Sequence, residues 1–107
     1  MEVNNHFTTQ FPLTIVSPQG QIFNDTVVFL KARGLDGEFA ILAHHSPLVK
    51  ILAKGIIQLR GEHFEQFLSM DSGVLEVNEK GETLVLVDNA VLNQDSSKAQ
   101  SSLATWN

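Results

Sequence analysis

His44 and His45 stand side by side in the segment Gly34 to Leu48, "GLDGEFAILAHHSPL", with Asp36 and Glu38 upstream and Ser46-Pro47 directly after. These residue types open three chemistries. Two imidazoles and a carboxylate can hold a metal ion. A histidine near a serine and an aspartate can serve nucleophilic catalysis. A polar loop can simply touch another protein. Spacing weighs against the first two. Neighbours on an extended strand point to opposite faces, so both imidazoles reach one ion only from a loop. Zinc wants three or four ligands, and the other histidines, His6 and His63, stand at no ligand spacing from the pair. No nucleophile-elbow motif accompanies the serines. Pro47 biases Ser46 away from helical backbone, so His44 to Pro47 reads as a rigid polar turn. Glu38 follows Asp36-Gly37, a hairpin-type turn signal, and a carboxylate there is ordinarily exposed. "GLDG" lacks the lysine and the following helix of a phosphate loop. No catalytic, metal or cofactor-binding residue is assigned.

Short apolar runs with turn signals between them carry this segment. "FPLTIVS" (11–17) places Phe11, Leu13 and Ile15 on one face at period two. Pro18 and Gly20 mark a turn. "TVVFLKA" (26–32) and "TLVLV" (83–87) are apolar on both faces, as expected of strands inside a sandwich. "GEFAIL" (37–42), "GIIQL" (55–59), "HFEQFL" (63–68) and "VLEV" (74–77) supply the rest. Strands at about ten-residue spacing without a long helical period predict an all-β sandwich or barrel. Residues 1–10 read as a loose N-terminal segment, 11–90 as the sandwich domain and 91–107 as a polar tail with at most one short helix. Asp95 or Ser96 can cap that helix. Ala99, Leu103 and Trp106 fall on one of its faces.

Composition narrows the partners. The 107 residues contain no cysteine and carry a formal charge of -5, which speaks against nonspecific nucleic-acid binding. No run of aromatics interleaves with basic residues as a single-strand binder needs. Five of the seven basic residues (Lys31, Arg33, Lys50, Lys54, Arg60) fall between 31 and 60, and the stretch 62–95 is mostly acidic. A surface of two signs suits a partner of matching pattern. No stretch approaches the roughly 20 apolar residues of a membrane span, and the N-terminus lacks a signal peptide's basic and apolar regions. A chain that is neither exported nor membrane-embedded is expected.

Several linked motifs resemble the N-terminal domain of the F-type ATP synthase epsilon subunit over about residues 11–100. Ser17-Pro18-Gln19-Gly20 with Phe23 matches the Ser-Pro-x-Gly turn after the first strand. Val28 and Leu30 match a Val-x-Leu strand. Gly37, Glu38, Ile41, Leu42, His45, Pro47 and Leu48 match a Gly-Glu-x-Gly-Ile-Leu-Pro-Gly-His-Ala-Pro-Leu segment, with Ala40 replacing a glycine and Ala43-His44 replacing Pro-Gly. Gly73-Val74-Leu75-Glu76-Val77 and Asp88-Asn89-Ala90 complete the pattern. The resemblance implies a flattened ten-stranded β-sandwich in the central stalk of a rotary motor. It implies a non-catalytic subunit, peripheral on the cytoplasmic side of a membrane, that couples c-ring rotation to the gamma subunit. On this basis Gly34, Leu35, Asp36, Gly37 and Glu38 form an exposed loop facing the c-ring, and Ser17, His45, Ser46, Pro47 and Lys50 lie toward gamma. The gamma-facing surface is expected to be partly apolar. The rivals are a small cupin-like metal enzyme using His44 and His45, and an unrelated β-sandwich adaptor. Cupins want two histidines separated by one residue, and here they are adjacent.

Many members of this family carry a C-terminal two-helix hairpin that blocks ATP hydrolysis, and in some an Asp-x-x-Arg-Ala motif binds ATP. In the matching register this chain reads Ser97-Lys98-Ala99-Gln100-Ser101, so Ser97 replaces the Asp and Gln100 the Arg. The planar donor fork that suits phosphate is missing there, and the sequence leaves room for one short helix. Neither ATP binding nor autoinhibition is expected. Calorimetric titration should give no heat of ATP binding; millimolar or tighter affinity contradicts the motif argument.

Overall fold

Period-two alternation folds the chain into strands with one buried and one outward face. The computed structural model describes residues 9–104; His6, Trp106 and residues 1–8 of the segment read as loose lie outside them. The strands are β1 (Phe11–Ser17), β2 (Gly20–Val27), β3 (Phe29–Gly34), β4 (Gly37–Ile41) and β5 (Leu48–Leu52). They continue as β6 (Gly55–Arg60), β7 (Glu65–Met70), β8 (Gly73–Val77), β9 (Thr83–Val87) and β10 (Ala90–Asn93), followed by α1 (Ser96–Ala104). They form one 10-stranded sheet of order β10-β7-β6-β3-β5-β8-β9-β1-β2, with β4 also paired to β3. The all-β sandwich with one short C-terminal helix is therefore the observed architecture.

The sheet doubles over at β3. One layer holds β4, β3, β6, β7 and β10; the other holds β5, β8, β9, β1 and β2. β3 pairs with β6 through Phe29 to Lys31 and then with β5 through Gly34 and Leu52. β1 and β9 pair in parallel; the other pairs are antiparallel. Leu13, Ile15, Leu75 and Val85 from one layer meet Leu30, Ile57, Leu59 and Leu68 from the other in a single buried cluster. Each such side chain contributes about 1.5–3 kcal/mol by leaving water.

A third element covers one outer face. Ser69 faces outward from β7 yet is fully buried, because α1 lies over it. Its hydroxyl donates to the Ala99 carbonyl. Ala99 is itself fully buried, and its single methyl lets the helix backbone come that close. Asp95 caps the helix as expected: its carboxylate accepts the Ser97 N–H at 2.8 Å and the Lys98 N–H at 3.3 Å.

Three features depart from the sequence reading. The run 26–32 is not one strand: Val27 ends β2, Phe29 begins β3, and the Val28 N–H turns aside to the Arg60 carbonyl at 2.7 Å. The run 83–87 is not buried on both faces, for Leu86 is 48% exposed while Val85 is fully buried. The sheet also continues past residue 90, through Asn93.

Gly73 shows how tightly the strands meet. A Cβ there would lie 2.5 Å from the Leu86 carbonyl oxygen and 3.1 Å from the Met70 methyl. Backbone cannot retreat from it. Gly73→Ala should cost about 1–3 kcal/mol in urea unfolding; a variant as stable as the parent disproves the close approach.

Candidate functional site

Two turns of the same design shape the ends of the sandwich. In Gly34-Leu35-Asp36-Gly37 and in Ser17-Pro18-Gln19-Gly20 the two central residues avoid positive φ and the last glycine takes it, at 126° and 129°. Glycine at the fourth position suits an ordinary turn of this kind. The Ser17 hydroxyl accepts the Gln19 N–H at 3.2 Å and locks the second turn.

The 34–38 hairpin is exposed except at its root. Leu35 is 72% exposed, and Asp36, Gly37 and Glu38 are exposed as well. Gly34 is buried, against the expectation for the whole loop. It is the last residue of β3 and pairs with both Gly37 and Leu52. Glu38 opposes Arg33 in the register of β4 and β3. The hairpin tip is tied to β5: Lys50 Nζ donates to both Asp36 carboxylate oxygens, at 2.9 and 3.2 Å, and lies 5.3 Å from the Phe39 ring centre. The Lys50 hydrogen bond, then Asp36's own backbone N–H, hold the Asp36 carboxyl below its ordinary pKa.

Lys50, read from the sequence with the gamma candidates, thus sits against the 34–38 hairpin. The remaining gamma candidates also separate. His45, Ser46 and Pro47 share a cleft with Phe11 and Pro12 at the start of β1. Ser17 ends the same strand, about 20 Å away at 3.3 Å per residue. His45 Nδ1 lies 2.7 Å from the Ser46 carbonyl. His44 takes φ 66°, left-handed backbone at the position where the family pattern has glycine. Among the described residues no group of three or more His, Cys, Asp and Glu is placed to hold a metal ion.

The signal that sequence reasoning missed is the outward face of β5, β8 and β9. The register sets Ile51 opposite Val74, and Val74 opposite Leu86. Val49 and Ile51 are 65% and 59% exposed. Alternation along "LVKIL" and "TLVLV" points these side chains away from the core, and only the strand pairing brings them together. On the other layer, α1 and the ion pair of Arg60 and Glu65 occupy the outward face. At one end of the sandwich, the Asp71 carboxylate joins two layer-crossing turns by accepting the Asn89 side-chain and backbone N–H groups at 2.8 and 3.0 Å. These bonds, the side-chain one first, lower the Asp71 pKa. Their stabilisation is therefore present above the unfolded Asp pKa and is lost as pH falls through the folded one.

A small sandwich with a charged hairpin at its end and one bare apolar face is a docking module of a larger assembly. The chain belongs to the ATP synthase Delta/Epsilon family: the model of that family's beta-sandwich domain matches residues 10–93. It is 37% identical over 89 residues to the ATP synthase epsilon chain of Campylobacter concisus (strain 13826), covering 82% of this chain and 68% of that one. A chain in the structure of Euglena gracilis mitochondrial ATP synthase, comprising OSCP, F1 and c-ring, superposes with a TM-score of 0.74 at 25% identity over 92% of this chain. A chain of the Tetrahymena thermophila mitochondrial ATP synthase central stalk and c-ring superposes at 0.66 over 76% of this chain; at 11% identity it shows the shared fold alone. This chain spans 64% and 65% of those two chains. No described helix is long and apolar enough to cross a membrane.

The backbone at His44 makes a direct test. Left-handed backbone costs a residue with a Cβ about 1–2 kcal/mol, and β-branching adds to it. His44→Gly should hold or raise stability by up to about 1 kcal/mol, and His44→Val should lower it. Thermal unfolding of both variants reads this out; equal loss in the two assigns the position to imidazole contacts instead.

Proposed function

We propose that this chain is a non-catalytic central-stalk subunit of an F-type ATP synthase, coupling c-ring rotation to the gamma subunit. It works peripherally, on the cytoplasmic side of the membrane. The observation that carries the proposal is the bare apolar face of Val49, Ile51, Val74 and Leu86 on a sandwich of epsilon-family fold. Contiguous exposed apolar surface marks a protein contact. Gamma covers this face, and the c-ring meets the hairpin at Leu35 to Glu38. The Euglena chain belongs to an assembly of OSCP, F1 and c-ring, which supports partners in F1 and in the ring.

A densely packed sandwich suits a mechanical part because its interior yields little under load. The Lys50–Asp36 pair adds a second link between the hairpin and β5, so a force on the tip passes into the strand beneath gamma. The described part of α1 is docked on β6, β7 and β10 and carries neither Asp nor Arg of the ATP motif, so neither ATP binding nor blockage of hydrolysis is assigned to it.

Single cysteines in the assembled motor test the arrangement. Cysteine at Val49 should cross-link to gamma, and cysteine at Leu35 to the c-ring. Glu38→Ala should leave stability within about 0.5 kcal/mol, as at other exposed sites, while lowering coupled ATP synthesis. Cross-links to the catalytic subunits alone contradict the placement.

A further inference from the structure

One feature of the apolar face does not fit a purely hydrophobic contact. Glu76 lies inside it, opposite Val49 on one side and Leu84 on the other. A carboxylate covered by an apolar partner would lose its water without compensation, at a cost far above what a neighbouring methyl group returns. Glu76 makes no ion pair among the described residues. Beside it runs an open groove of about 550 Å³, with Pro47, Leu48 and Val49 on one side and Glu76, Glu79 and Glu82 on the other. Lys80 is the single cation of its lining. The Asn78 amide donates to Glu82 at 2.8 Å and holds that carboxylate in place, whereas Glu76 and Glu79 are exposed.

We infer that this groove receives a basic side chain, arginine or lysine, borne on an apolar segment of gamma, and that Glu76 and Glu79 fix the register in which gamma sits. The inference rests on the central-stalk proposal and goes beyond it by naming the chemistry of the contact. An aliphatic stem can lie along Pro47, Leu48 and Val49 while its charged head meets the glutamates. The apolar face supplies most of the attraction. The charges reject misaligned dockings, because a shifted register leaves a carboxylate against hydrocarbon.

The test is titration of the full chain with the purified gamma subunit of the same synthase, at about 50 mM and about 300 mM salt, where screening lengths differ about 2.4-fold. The double variant Glu76→Gln, Glu79→Gln keeps the shape of the groove. It should bind about tenfold or more weakly at low salt, and the gap from the parent should narrow at high salt. Ile51→Ala should weaken binding equally at both. Parent-like affinity and salt dependence in the double variant, with Ile51→Ala still weakened, overturns the inference and leaves the central-stalk proposal standing. Failure of the parent chain to bind gamma overturns both. Self-association of the parent chain that the double variant alters assigns the groove to a second copy and overturns the inference as well.

Discussion

The arrangement depends on a short stretch of backbone where β3 leaves one partner and takes another. Gly34 pairs with Leu52, the Ala53 N–H donates to the Arg33 carbonyl at 2.9 Å, and the Leu35 N–H donates to the Ile51 carbonyl at 3.1 Å. Through these bonds one continuous sheet becomes two layers. A side chain at residue 34 would have to share its space with the Asp36 carboxylate, 2.9 Å from the Cβ position, and with the Gly37 carbonyl at 3.3 Å. The hairpin springs directly from this junction. Its tip is thereby set above β5, where the Lys50 bonds to Asp36 hold it.

The same junction separates the two outward faces. β5 starts the layer that exposes Val49, Ile51, Val74 and Leu86 around Glu76, and β3 belongs to the layer whose outer side carries α1 and charged side chains, with Val91 of β10 partly exposed. An isolated nine-residue helix is marginal in water. It persists here because Asp95 satisfies its first N–H groups and Ala99 seats it on Ser69. The larger exposed apolar patch therefore lies on the β5, β8 and β9 side.

Strands with clear alternation or compact apolar runs were legible in the sequence: Phe11, Leu13 and Ile15 are buried as their spacing predicts. β2, β5 and β10 were not. β2 is polar through Asn24, Asp25 and Thr26 because it is an edge strand with little to bury. β5 begins directly after Pro47 and carries Lys50 at its centre, so its pattern reads as loop. The exposed apolar face was hidden for a deeper reason: Val49, Ile51, Val74 and Leu86 lie on three strands, and only the register unites them. The separation of Ser17 from His45 is likewise a matter of where β1 begins and ends. His44 was visible as an oddity of type, but its positive φ explains why glycine suits that position.

The edges of the sheet matter most when the domain is alone. A newly made copy carries its apolar face uncovered, and flat strand edges beside such a face invite stacking into fibres. β2 is bent by a shift of register between Ile15 and Val16, which sets Phe23 and Gln21, not neighbours in sequence, against neighbouring residues of β1. β4 is five residues long and presents Glu38 near its start. A twisted edge and a short charged one are poor templates for a further strand. Growth in the hydrogen-bonding direction is therefore disfavoured at β2 and β4, and β10, the other end of the strand order, offers only four residues.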